Sequence, residues 1–216
     1  MRHTSSHRLV MPLTTSGVLM AAYLLLRPYG DQAGGAAQAA EAMASPWWVV
    51  AHVCGMLALV QFARAALRLS DLTDGLASLV TRWSGLAGVV LVLPYYGAET
   101  FALHVIARRY DATGDDSLLP LIDLVREQPV AMTMFGLGLL LLAVSGVSFA
   151  LAWQGSEFGV RLGRGRWAAW PLGLLVAVFL PQFYLPAAGR MAYGVVFFAA
   201  AVGLALAARR ASSMEG

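Results

Sequence analysis

Six apolar stretches punctuate this chain, near residues 9–27, 47–67, 83–107, 129–153, 167–187 and 190–208. Each approaches the roughly 20 residues that a helix needs to cross a bilayer. In hydrocarbon no water is present to satisfy backbone N–H and C=O groups, so a run of this kind must form its own hydrogen bonds as a helix. The expected fold class is therefore all-α: a polytopic membrane helix bundle of six transmembrane helices, both termini cytoplasmic, with residues 1–216 as a single transmembrane domain.

Charge usage agrees. Only 12% of the residues are charged, against about 25% in a soluble domain. The basic residues are all arginine and sit at the ends of the apolar runs. A nucleic-acid binder would gather its cations on one face, so no nucleic-acid partner is expected. The partner that composition implies is the lipid bilayer. Cys54 is the single cysteine, which excludes an intrachain disulfide and makes a thiolate metal cluster an unattractive reading.

Two runs are irregular. The stretch 167–187 contains Pro171, Pro181 and Pro186. The first run has the outline of a secretory signal, with Arg2 and Arg8 before it and Ala42-Met43-Ala44 after it. Its roughly 18 apolar residues exceed the ~7–15 of a signal core, so an uncleaved helix is expected; cleavage before Ser45 would leave five spans.

With the N-terminus inside, ten arginines fall on the cytoplasmic side and five (Arg27, Arg108, Arg109, Arg126, Arg190) on the outer side. The positive-inside rule then favours a multi-pass cell membrane protein with both termini in the cytoplasm. The Gly163-Arg164-Gly165-Arg166 stretch becomes a short basic loop against anionic headgroups. A weak internal repeat pairs Arg82-Trp83 and Pro94 with Arg166-Trp167 and Pro181, which would relate spans 2–3 to spans 4–5 as parallel hairpins.

Depth separates the polar residues. Glu99, His104, His52, Gln182, Tyr184, Tyr193, Met132 and Thr133 all fall in the outer part of their runs, whereas the inner halves are nearly aliphatic. One polar site opening to the outer face accounts for this. Its centre is Glu99, because a carboxylate at membrane depth costs about 2.5–3.5 kcal/mol unless neutral, paired or wet. Glu99 is the candidate proton donor or carrier, with an ion pair to Arg190 or His52 as the structural alternative. Tyr95, Tyr96, His52, His104, Gln182 and Tyr184 are the candidate ligand-binding residues, for a small apolar or cationic ligand held against π-faces. On a straight helix Glu99 and His104 stand about 140° apart, so they are not expected to share a metal ion. His52 and His104, on antiparallel neighbours at similar depth, are the candidate metal ligands of a b-type haem. Glycines in the spans (Gly55, Gly85, Gly88, Gly136, Gly138, Gly203) read as close-packing positions.

The run Tyr96-Gly97-Ala98-Glu99-Thr100-Phe101-Ala102-Leu103-His104, following a histidine at the start of the second span, resembles uncharacterised polytopic integral membrane proteins of actinobacteria. The resemblance covers most of the chain and implies no particular activity. Three function classes follow from the residues: ion or small-molecule binding or transport through the Glu99 site; electron transfer by a haem on His52 and His104; and a membrane-embedded enzyme on a lipid or isoprenoid substrate with Glu99 as the acid. No phosphate-cradling loop, zinc-protease His-Glu pair or nucleophile elbow is present.

Overall fold

The computed structural model describes residues 6–214. Arg2 and His3, assigned above to a cytoplasmic tail, lie outside the described residues. No strand occurs among them. The principal helices are α1 (Val10–Leu26), α2 (Ala36–Ala44), α3 (Pro46–Ser70), α4 (Leu76–Gly97), α5 (Leu103–Thr113), α6 (Leu119–Arg126), α7 (Pro129–Gly155), α8 (Trp170–Ala177) and α9 (Ala187–Ser213). A π-helical turn, Ala98–Ala102, joins α4 to α5 without interruption.

Five helical segments are long and apolar enough to cross a membrane: Ser6–Leu26, Pro46–Ser70, Leu76–Thr113, Pro129–Gly155 and Ala187–Ser213. The sixth expected span is different. Residues 167–187 contain the eight-residue α8, a break, and a 3-10 turn over Pro181–Tyr184. Pro171 sits in the first turn of α8, where its missing N–H is no loss, but Pro181 has no N–H for the carbonyl four residues back. The run is apolar enough for a span; its prolines prevent one continuous helix. Pro94, its counterpart in the repeat, stays inside α4, so the matched prolines have unlike local consequences.

Helix starts follow local chemistry. The Ser45 hydroxyl accepts from the Trp47 N–H and Pro46 opens α3, while the Gln128 side chain accepts from the Ala131 N–H before Pro129 of α7; each satisfies an otherwise orphaned donor. Between α5 and α6, Asp115 takes two hydrogen bonds from Ser117, hydroxyl and N–H, which hold its carboxyl below the usual range.

Small residues set the helix contacts. α1 lies against α3, where the Ser16 hydroxyl donates to the Ala58 carbonyl at 2.8 Å. It lies antiparallel to α9: Ser6 donates to the Ala208 carbonyl, Gly17 meets Ala201, and Gly194 meets Leu24. The two ends of the described chain are thus at one end of the bundle. α4 and α7 cross where a Cβ on Gly88 would stand 2.9 Å from the Gly138 carbonyl oxygen, and α7 and α8 cross where a Cβ on Gly146 would stand 2.5 Å from the Gly173 carbonyl oxygen. Of the glycines expected to pack closely, Gly55, Gly85, Gly88 and Gly138 do so; Gly136 and Gly203 face open space. Thr81 and Ser145 exchange hydroxyl-to-carbonyl bonds across the α4–α7 contact, each at 3.0 Å. These hydroxyls therefore bring their own partners into the apolar core.

Candidate functional site

Glu99 lies in the π turn, and the turn follows from the sequence around it. Pro94 cannot donate to the Val90 carbonyl and crowds it, and the helix recovers by widening: the Leu103 N–H bonds to the Ala98 carbonyl, five residues back. Such a turn leaves neighbouring carbonyls short of donors, and side chains supply them. The Trp48 indole N–H donates to the Glu99 carbonyl at 3.0 Å, and the Thr100 hydroxyl donates to the Tyr96 carbonyl at 2.5 Å. The widened turn also re-phases everything after it, so the straight-helix angle of 140° between Glu99 and His104 does not apply here. Isolated π turns are frequent at functional sites.

The carboxylate does not stand alone. Arg126, the last residue of α6, places its Nη2 3.2 Å from Glu99 Oε1 and 3.2 Å from Asp31 Oδ2. Arg27, just past α1, reaches the same Asp31 oxygen at 2.6 Å. The result is a chain of alternating charge, Arg27–Asp31–Arg126–Glu99, that ties α1, the turn Gly30–Ala33, α6 and the π turn together. Its two halves differ in burial. The Arg27 and Asp31 side chains are 4% and 8% exposed, those of Arg126 and Glu99 25% and 18%. The guanidinium of Arg27 also lies 4.9 Å from the Trp48 ring centroid and 5.2 Å from that of Tyr29, both favourable cation–π distances. Tyr29 donates to the Leu24 carbonyl, and burial pushes its phenol up to about 12. A cavity of about 450 Å³ beside this region is lined by Pro28, Gly30, Gln38, Glu41, Ala42 and Ser45.

Behind the charges is an aromatic core. The buried His52 ring packs against Trp48, Tyr23 and Tyr96, with centroids at 4.2, 5.4 and 6.3 Å. The Tyr96 hydroxyl donates to that of Tyr23 at 3.5 Å, a marginal contact. Tyr95 instead stacks on Phe135 at 4.5 Å. His104 turns away from this core and bonds through Nδ1 to the Met43 carbonyl of α2, whereas the Nδ1 of His52 bonds to the Trp48 carbonyl. The two imidazoles share no side-chain partner, and ligation of one haem by the pair finds no support in this arrangement. Among the described residues no group of three or more His, Cys, Asp or Glu is set to hold a metal ion. Tyr184 is 87% exposed. Arg190, suggested above as a partner of Glu99, donates to the Leu185 and Phe183 carbonyls.

Sequence reasoning thus singled out Glu99, His52 and Tyr96 but missed Tyr23, Arg27, Asp31 and Arg126. Arg27 and Asp31 carried a readable signal, an i,i+4 opposite-charge pair directly after an apolar run. Arg126 carried none, since it meets Glu99 only because α6 folds back over the π turn.

Six buried side-chain atoms lack a hydrogen-bond partner among the described residues: Arg27 Nε and Nη1, Asp31 Oδ1, Arg126 Nε, and Gln182 Nε2 and Oε1. Gln182 is 2% exposed. Four of the six belong to the charge chain. Buried polar groups are nearly always satisfied, so this grouping is where a water or ligand would find partners waiting.

The fold defines a helical protein compatible with a multi-pass membrane protein, and among the described residues buried charge gathers at the Glu99 end. No protein-family model, curated protein or solved structure matches the chain.

Proposed function

We propose that this is a six-crossing protein of the bacterial plasma membrane, both termini cytoplasmic, whose outer end holds a site for a small polar solute or ion, bound there or passed onward. The carrying observation is that buried unpartnered polar atoms concentrate on a partly exposed charge chain, while hydroxyls of the opposite half such as Ser16, Thr81 and Ser145 find partners.

Parity supports the six crossings. Five long helices alone would leave the chain ends on opposite sides, yet Ser6 bonds to Ala208. The stretch after α7 supplies the remaining pass as a broken segment. It follows α7 in reverse, from Trp170 on Gln154, past Gly173 on Gly146, to Phe183 on Phe135. Cysteines introduced near Asp115 should react with an impermeant reagent from outside and those near Gly163 should not; the reverse pattern overturns the orientation.

The site reading is tested by thermal unfolding of the purified protein against panels of small cations, neutral solutes and anions. A saturable shift of Tm should appear for one class, altered in Glu99→Gln and unchanged in Arg82→Gln, which removes a half-exposed pair with Asp71 away from the site. A response indifferent to Glu99, or none, refutes the site. Glu99 as proton carrier additionally requires that Glu99→Gln abolish any proton-coupled flux in proteoliposomes.

A further inference from the structure

The unmade hydrogen bonds at this end do not balance, and the imbalance specifies a ligand. Arg27 and Arg126 face Asp31 and Glu99, two against two. Arg190 spends its donors on the neutral carbonyls of Leu185 and Phe183. The surplus is therefore one of hydrogen-bond donors within the charge chain: three guanidinium nitrogens (Arg27 Nε and Nη1, Arg126 Nε) against one carboxylate oxygen, Asp31 Oδ1. The Arg27 donors lie in a region walled by Trp48 and Tyr29, where low polarity strengthens any ionic contact and raises the cost of an unmade one.

Resting on the outer-site reading above, we propose that the Arg27–Arg126 cluster binds a singly charged oxyanion, of the carboxylate or phosphodiester kind. Guanidinium groups suit such oxygens because they present several N–H donors in a rigid plane. A singly charged oxyanion accepts from these vacant donors, whereas a cation would meet the guanidinium groups of Arg27 and Arg126. An anion here stands against the cationic ligand that the aromatic residues suggested. Arg126 is the accessible member, one quarter exposed, and Arg27 the fixed one. Glu99 acts as an internal competitor that occupies Arg126 when no ligand is bound. An incoming oxyanion takes its place on the Arg126 donors, and no covalent step is involved. A carboxylate solute and a lipid phosphodiester offer the same chemistry to this cluster.

The test uses the full-length protein in a neutral maltoside detergent, with sodium acetate, sodium dimethyl phosphate and, separately, phosphatidylglycerol mixed micelles titrated at constant ionic strength against chloride. The expected result is a saturable rise in Tm with at least one of the three. A response to acetate or dimethyl phosphate identifies a free solute, and a response confined to phosphatidylglycerol identifies a headgroup. Arg126→Gln should weaken the apparent affinity at least tenfold, Arg126→Lys less, and Glu99→Gln should strengthen it by removing the competitor. No response to any of the three overturns the proposal, as does an equal response in Arg126→Gln. If guanidinium or sodium ions stabilise the protein instead, and Glu99→Gln abolishes that effect, the oxyanion is refuted while the outer site stands. If no anion, cation or neutral solute acts, both fall.

Discussion

The two ends of the bundle solve the problem of polar groups in an apolar protein in opposite ways. Toward the middle and the Arg82 end, buried hydroxyls bond to carbonyls, Ser16 to Ala58, Thr81 and Ser145 to one another and Ser84 to Val80, while the pair Arg82 and Asp71 is half-exposed. Backbones touch through glycine, as at Gly88–Gly138 and Gly146–Gly173. At the Glu99 end the helix itself is distorted, the polar groups are long and charged, and four atoms of the charge chain go unpartnered. Satisfied hydroxyls hold helices together at low energetic cost. Paired buried charges seldom surpass well-packed apolar residues as a source of stability, so their retention calls for a function. One end of the molecule is built to stay closed, and the other has polar capacity to spare.

Four measurements break or sharpen this contrast, and the largest effect belongs to the charged end. Asp31→Ala strips the buried Arg27 of its carboxylate and should cost about 3–5 kcal/mol in denaturant unfolding from mixed micelles. A loss no larger than that of Arg82→Gln would mean that the charge chain bears little of the structure. At the closed end, Gly146→Leu drives a side chain into the Gly173 carbonyl and should destabilise by about 1–3 kcal/mol or more. Gly136→Leu, with open space around its Cβ position, is the control and should be nearly neutral.

Smaller effects follow. Glu99→Gln keeps the shape of the side chain and an oxygen that can accept from Arg126, so it should leave Tm almost unchanged while altering ligand response. A large loss of stability would make Glu99 a structural residue. The last effect concerns Tyr29. Its phenol ionises at about 12 in the folded protein, against an ordinary 10.0, so the folded state holds its proton where the unfolded state has lost it. Its contribution is complete below pH 10.0 and is lost as pH rises through about 12. Tyr29→Phe should therefore flatten that part of the alkaline stability profile, read by circular dichroism, beside a pH-independent loss of about 1 kcal/mol from the missing hydrogen bond to the Leu24 carbonyl.

Much of this architecture is present in the residue order. Length and apolarity alone specify the helices, because hydrocarbon leaves the backbone no other way to satisfy itself. Glycine and serine positions such as Gly88 and Ser145 mark contacts that can be guessed before they are seen. The prolines of 167–187 announce an irregular segment, and the cost of a lone carboxylate points to Glu99. What the order of residues does not contain is the partner. Arg126 lies 27 residues from Glu99 and Trp48 lies 51 residues away, beyond any periodic rule. Helical phase is equally hidden: one widened turn after Pro94 changes the angle between Glu99 and His104, and His104 meets the Met43 carbonyl. Local sequence determines which segments become helices because their hydrogen bonds close within a few residues. Which charges meet is decided by how α6 and the Gly30–Ala33 turn fold back over the bundle, since ion pairs act through space between segments that only tertiary packing brings together.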